Sequence, residues 1–449
     1  MIKNYYNRVV VLRLSADVRL APAVMLLAKR TLLASLIFTA FCAPWAAGAK
    51  EVLLDGDFIA ICGDSITEQK IYSAFIEDYL LMCQPVAGVR AVQFGWGGET
   101  AGAFAHRMDN DVLTFKPSVA TICYGMNDGG YSPMTEAKAK MFRDNELQIV
   151  KRFKEAGVRS IVVGSPGVVD VNTWGKNPAQ AESYNTALAA LRDVAREVAT
   201  NEGVIFANVH DPMMEVMEKV KAAYGTNYHF AGIDGVHPAA NGHLVMAYAF
   251  LKAMGCAGNI GTISVDLAKQ TAEARGGHKI LSCEKGVVEI ESTRYPFCFY
   301  GKPEMPESTR GVLPFLPFNE ELNRFRLVVV GSTAKRLNVT WGGTTKTFSA
   351  DDLATGINLA AMFLDNPFSE PFRQVDKKVH GKQEIETEIV KFTLHQLPDL
   401  ARVMPDEEET IQRLVKKLVE RLTVNANALP AAVAPVRHTI TITEEASRK

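Results

Sequence analysis

The stretch Phe58-Ile59-Ala60-Ile61-Cys62-Gly63-Asp64-Ser65-Ile66-Thr67 decides how this chain is read. Its first five residues are apolar with no polar alternation, which fits a strand buried on both faces in a parallel sheet. Gly63 lets the backbone turn sharply off that strand and leaves Ser65 at its carboxyl end. In open α/β sheets ligands bind in the crevice outside that edge. Taken alone, the Gly-Asp-Ser triplet fits a serine capping the next helix equally well.

Working outward, similar apolar runs recur at residues 89–94, 119–124, 160–163 and 204–209. Helix-like stretches lie between and after them, at 71–82, 100–113, 136–156, 179–200, 213–223 and 240–254. Strands alternating with helices predict an α/β fold with a parallel sheet covered on both faces. After Gly258 the texture changes. Runs at 278–283, 287–292, 325–330 and 336–341 alternate like half-buried antiparallel strands. Two helical stretches follow, one carrying Phe372, Val375, Val379, Ile385, Ile389 and Phe392, the other starting at Pro405-Asp406. A last strand-like run covers 439–443. The expected organisation is a signal segment over 1–49, a catalytic domain over 50–258 and a C-terminal α+β domain over 259–449. The charge-rich faces at Lys377-Lys378, Glu407–Glu409 and Lys416-Lys417 read as solvated surface.

The N-terminal segment reads as an export signal. Lys29-Arg30 precede the apolar run 31–41, which ends in Ala47-Gly48-Ala49. That run is shorter than the ~20 residues a spanning helix needs, so cleavage after Ala49 and no integral membrane segment in the mature chain are expected. Met25 stands where such a signal would begin. A net charge of -1 gives no reason to expect nucleic acid as partner. Of the cysteines, Cys62 and Cys123 fall within buried-strand runs, and only Cys283–Cys298 is offered as a bridge.

Three further strand ends carry chemistry. Gly95-Trp96-Gly97-Gly98-Glu99-Thr100 follows the second strand and can aim backbone N–H groups at a ligand oxygen. Tyr124-Gly125-Met126-Asn127-Asp128-Gly129-Gly130 follows the third and offers an amide donor. Asp234-Gly235-Val236-His237 precedes the last helix of this half. Serine is a poor nucleophile until a base takes its proton, and that histidine must be held in one tautomer by an acceptor. Each segment alone has an ordinary reading as a turn or cap. All four at one sheet edge do not.

These blocks resemble the SGNH hydrolases, or GDSL esterases, over roughly Asp55–Met254, with Ile66 departing from the family's usual leucine. The resemblance implies a flavodoxin-like three-layer fold in which Ser65 attacks an ester carbonyl, His237 is the base and Asp234 orients it. It also implies an oxyanion hole made by Ser65, Gly98 and Asn127. Trp96, Tyr131 and Trp174, on strand-end loops, are candidates for lining the substrate cleft. No cofactor or metal is needed by such a site; His210-Asp211 with His229 and His243 suggests a metal only weakly, Asp211 reading as a helix cap. The expected substrate is a short acyl ester, acetyl above all, on carbohydrate. A lipid esterase and a catalytically idle glycan- or surface-binding protein are the competing readings. Oligomeric state is not legible.

Overall fold

The computed structural model describes residues 51–445. The expected signal segment, including Ala49 and Met25, lies outside the described residues. Among the described residues no helix is long and apolar enough to cross a membrane.

Five parallel strands make the central sheet: β1 Phe58–Gly63, β2 Arg90–Gln93, β3 Val119–Cys123, β4 Ser160–Gly164 and β5 Ile205–Ala207. Their order is β2-β1-β3-β4-β5, the flavodoxin-like arrangement. β1 therefore lies at the switch point, with β2 on one side and β3 on the other, in register Phe58–Arg90 and Ile59–Val119. Its side chains serve two cores. Ile59 and Ile61 enter one apolar cluster, and Phe58, Ala60 and Cys62 enter the other. That is why the run shows no polar alternation.

Helices α1 Ser65–Glu68, α2 Tyr72–Asp78, α3 Ala101–Asp111, α4 Glu136–Glu155, α5 Pro178–Asn201, α6 His210–Tyr224 and α7 Ala240–Ala253 cover the faces. Their starts are set by side-chain caps. Thr100, Thr135 and Asn177 each accept from the N–H three residues on, and Pro178 follows Asn177. The expected helix over 71–82 is divided, since α2 passes into a π-turn at Tyr79–Cys83. Asp211 does not cap α6; it sits in the first turn and pairs with Arg192 and Asn208.

Beyond Ala253 come β6 Asn259–Asp266, β7 Thr271–Arg275, β8 His278–Glu284, β9 Val287–Ser292, β10 Arg324–Val330, β11 Arg336–Trp341, β12 Thr344–Ser349, β13 Ile357–Asn358 and β14 Val436–Glu444. They build two sheets, β13-β10-β6-β7 and β12-β11-β14-β9-β8. Phe325 of β10 packs on His278, Trp341 and His438 of the second sheet, so the two lie face to face. Strands β6, β7, β12 and β13 go beyond the sequence reading. In β6 a Cβ on Gly261 would come within 2.3 Å of the His278 ring, so the close approach there requires glycine. The Cys283–Cys298 bridge is not formed: both are free thiols, with Cys298 buried and bonded to the carbonyl of Pro296.

A chain of polar groups crosses this sandwich. Trp341 Nε1–H donates to His438 Nδ1 at 3.2 Å, so His438 carries its proton on Nε2 and donates to Ser292 Oγ at 2.9 Å. Ser292 in turn donates to His278 Nδ1 at 2.7 Å, and His278 Nε2–H reaches the Ile260 carbonyl at 3.2 Å. The bonds accepted at His438 Nδ1 and His278 Nδ1 each need a neutral imidazole. Burial pushes His278 down to about 4 and His438 down to about 3, against about 6.5 for an unfolded histidine. The unfolded chain thus binds more protons between those values, and stability falls as pH drops from about 6.5 towards 4. Urea midpoints measured across that range should decline in the wild type and decline less steeply in His438→Gln. Equal slopes would show that the relay does not set the acid sensitivity.

Candidate active site

The turn after β1 is built from close approaches. A Cβ on Gly63 would lie 2.0 Å from Thr67 Oγ1, and one on Gly95 would lie 2.3 Å from the Glu68 nitrogen. Only glycine lets α1 fold back on β1 and lets the second loop lie against it. Asp64 caps α1 by accepting the Ile66 N–H at 2.9 Å. Burial pushes its carboxyl up to about 7 despite that bond, with Asp128 and Glu99 adding to the rise. Ser65 is left half-buried at the mouth of the sheet.

The Asp234–His237 loop reaches the same place. Ser65 Oγ lies 2.7 Å from His237 Nε2, and His237 Nδ1 lies 2.6 Å from Asp234 Oδ2. Asp234 Oδ1 accepts the N–H groups of Val236 and His237, both at 2.9 Å. Both carboxylate oxygens are therefore used within the loop. Burial works against ionisation of Asp234, but those N–H groups and the imidazole outweigh it and hold the carboxyl below the usual range. An acceptor at Nδ1 fixes the proton there, so Nε2 presents a lone pair to the serine hydroxyl. Chemically, this arrangement can carry a proton away from Ser65.

The loop is held by groups that no motif announces. Asp170, fully buried, takes a salt bridge from Lys221 at 2.8 Å and the N–H of Phe230 at 3.1 Å, while its own N–H donates to the Gly235 carbonyl at 2.8 Å. Gly232, with φ +83, has no room for a Cβ, which would lie 1.9 Å from the His237 carbonyl oxygen.

Gly98 is exposed, with φ +72, one residue before Glu99. Glu99 is locked from behind by Arg107, at 2.5 and 2.7 Å, and accepts the Tyr124 hydroxyl at 2.9 Å. Its main-chain oxygen accepts Asn127 Nδ2–H at 3.0 Å, tying the second and third loops together. Asp128 accepts the N–H groups of Ala101 and Gly125; burial pushes it up to about 6.

Of the three aromatic candidates, Tyr131 and Trp174 stack with Tyr184 beside these loops. The Trp96 ring is instead taken up by Arg107, Lys391 and His395, at 4.9, 4.9 and 4.7 Å. Lys391 also pairs with Glu68 at 2.5 Å, so the C-terminal part of the chain touches both α1 and the second loop. No pattern in the sequence announced that contact. The histidines weighed as metal ligands are apart in use: His243 accepts the Tyr72 N–H and faces Gln69, and His210 faces Asp211. Among the described residues no group of three or more His, Cys, Asp or Glu side chains is arranged to hold a metal ion.

A parallel sheet with a serine, a histidine and an aspartate joined at its carboxyl edge defines a serine hydrolase. Residues 61–245 match the profile of the GDSL-like lipase/acylhydrolase family. That segment is a GDSL-like lipase/acylhydrolase domain, the SGNH hydrolase type, and marks the protein as a serine enzyme acting on carboxylic ester bonds. It is 23% identical to an acetylxylan esterase of Geobacillus stearothermophilus over 224 residues, 46% of this chain and 94% of that one. A solved structure of a gut microbial diltiazem-metabolizing enzyme, BT4096, aligns over 87% of this chain and 98% of its own, with a TM-score of 0.66 at 24% identity. A variant of Axe2, an acetyl-xylooligosaccharide esterase from Geobacillus, aligns over 45% of this chain and 95% of its own, with a TM-score of 0.37 at 22% identity. The first structure extends the likeness in fold to the C-terminal sheets and helices.

Proposed function

We propose that the protein is an exported esterase that removes short acyl groups, acetyl above all, from carbohydrate, through Ser65, His237 and Asp234. The observation that carries this reading is the unbroken hydrogen-bonded chain from Ser65 Oγ through the imidazole to Asp234. Ser65 Oγ adds to the ester carbonyl carbon while His237 Nε2 takes its proton. The oxygen that becomes negative is held by the N–H groups of Ser65 and Gly98 and by Asn127 Nδ2. Collapse breaks the bond to the alcohol, which leaves with the proton from His237. Water, deprotonated by the same nitrogen, then releases the acid and restores Ser65.

Export is supported by the pattern from Lys29 to Ala49, with Lys50 as the first mature residue. The acyl preference is supported by the likeness to an acetylxylan esterase and by the loops themselves. Gly97, Gly98 and Gly130 are exposed on the strand-end loops and add no side-chain bulk there. A fatty chain would need a long apolar tunnel to gain its ~0.8 kcal/mol per buried CH₂. A series of nitrophenyl esters from acetate to palmitate should give its highest kcat/KM at the shortest acyl groups, with acetate released from acetylated xylan. A maximum at octanoate or longer would overturn the carbohydrate reading in favour of a lipid esterase.

A further inference from the structure

A side-chain amide offers one acceptor oxygen and two N–H donors. For Asn127 two of these are committed: Oδ1 accepts the Tyr131 hydroxyl at 2.9 Å, and one Nδ2–H goes to the Glu99 carbonyl at 3.0 Å. The second N–H remains for a ligand. The Glu99 bond alone is a pivot about which the amide can rock; the Tyr131 bond closes that freedom. Donation to the amide oxygen also draws electron density from its nitrogen and makes the remaining N–H a stronger donor.

Tyr131 is brought there at a conformational cost. Its φ is +51, directly after Gly130 at +62, in a region a bulky aromatic residue seldom occupies. Such outliers persist when the surroundings enforce them, and they gather at functional sites. Here Lys138 Nζ clamps the turn through the Gly129 carbonyl at 2.8 Å and Ser132 Oγ at 2.5 Å. The ring stacks on Trp174 and Tyr184, with centroids 6.1 and 5.3 Å away. Tyr184 bonds the Met126 carbonyl, next to Asn127, and the Trp174 backbone fills the space a Cβ on Gly235 would need. One aromatic cluster therefore touches both the Asn127 loop and the Asp234–His237 loop. Burial holds the phenol above its ordinary range, so the hydroxyl is present as a donor.

We infer that Tyr131 is a positioning residue: its hydroxyl fixes the rotation of the Asn127 amide and tunes the N–H that meets the oxyanion. This inference rests on the proposed role of Asn127 in ester hydrolysis. Tyr131→Phe keeps the ring and its stacking, so the fold and thermal midpoint should be unchanged. With a short-chain nitrophenyl ester, kcat should fall about tenfold at nearly constant KM, against about 10²–10³-fold for Asn127→Ala. In the Asn127→Ala background, Tyr131→Phe should have no further effect, because the amide it positions is gone. Three results would overturn the inference: kcat of Tyr131→Phe within twofold of wild type, a loss confined to KM, or an undiminished loss in the Asn127→Ala background. An unchanged kcat in Asn127→Ala itself would instead bring down the oxyanion assignment on which the inference stands.

Discussion

Replacing Ser65 by alanine is expected to lower kcat on a short-chain nitrophenyl ester by about 10⁴–10⁶-fold while the thermal midpoint stays within a degree or two. The large loss follows from the division of labour at the site. In the proposed mechanism His237 and Asp234 act only by moving the proton of Ser65, so without the hydroxyl they would have nothing to activate, and only the oxyanion donors and substrate binding would remain. The small effect on stability follows from burial. Ser65 is half-buried and its Oγ bonds to His237, which keeps its Asp234 partner and meets water when the hydroxyl is removed. Active-site burst titration with a fluorophosphonate would read the same residue independently, since labelling requires the nucleophile. A variant retaining more than about one part in a hundred of the wild-type rate would place the attacking group elsewhere.

How much of this could be read in advance divides along a physical line. Where one short segment settles its own structure, the sequence was legible. β1, β3 and β4 stand within a residue of their expected limits, because each is a short run buried along its whole length. Helices α4 and α5 begin at their capping Thr135 and Asn177. Asp234 and His237 lie three residues apart, so their pairing is local. What escaped is what depends on distant partners. Nothing near Asp170 announces Lys221, and nothing near Tyr131 announces that its hydroxyl turns back onto Asn127. The helix Ser369–Phe392 buries Phe372, Val375 and Val379 as expected but departs from expectation further along. Its apolar Ile385 and Phe392 are exposed, 45% and 59%, whereas Lys382, Gln383 and Glu386 are buried. By periodicity those polar residues belong to water; they are inside because a sheet edge needs them.

That edge carries the second large expected effect. β2 has β1 on one side only, so its outward backbone groups need partners. Lys382 Nζ donates to the Ala91 carbonyl at 2.8 Å, and Glu386 accepts the Gln93 N–H at 3.0 Å. Lys382 also pairs with Glu386 and, at 2.9 Å, with Glu77 of α2. Gln383 accepts the Ser73 hydroxyl at 2.7 Å and donates to Glu77 at 2.9 Å. Burial alone would drive the proton off Lys382, but Glu386 and Glu77 outweigh it and keep the ammonium charged. Lys382→Ala leaves two buried carboxylates uncompensated and one carbonyl unpaired, and should destabilise the protein by about 3–5 kcal/mol in urea unfolding. Replacing the three charges together, as Glu77→Gln, Lys382→Met and Glu386→Gln, should cost less than the single change, since no charge is then stranded. By the same argument a chain ending at Gly258 uncovers the β2 edge and should aggregate rather than yield an active esterase. The helix runs along β2 in the same direction, Lys382 beside Ala91 and Lys391 at Glu68 and Trp96, so its end arrives at the reactive edge. A soluble, fully active 50–258 fragment, or a Lys382→Ala variant as stable as wild type, would show that the C-terminal helix only decorates the sheet it covers.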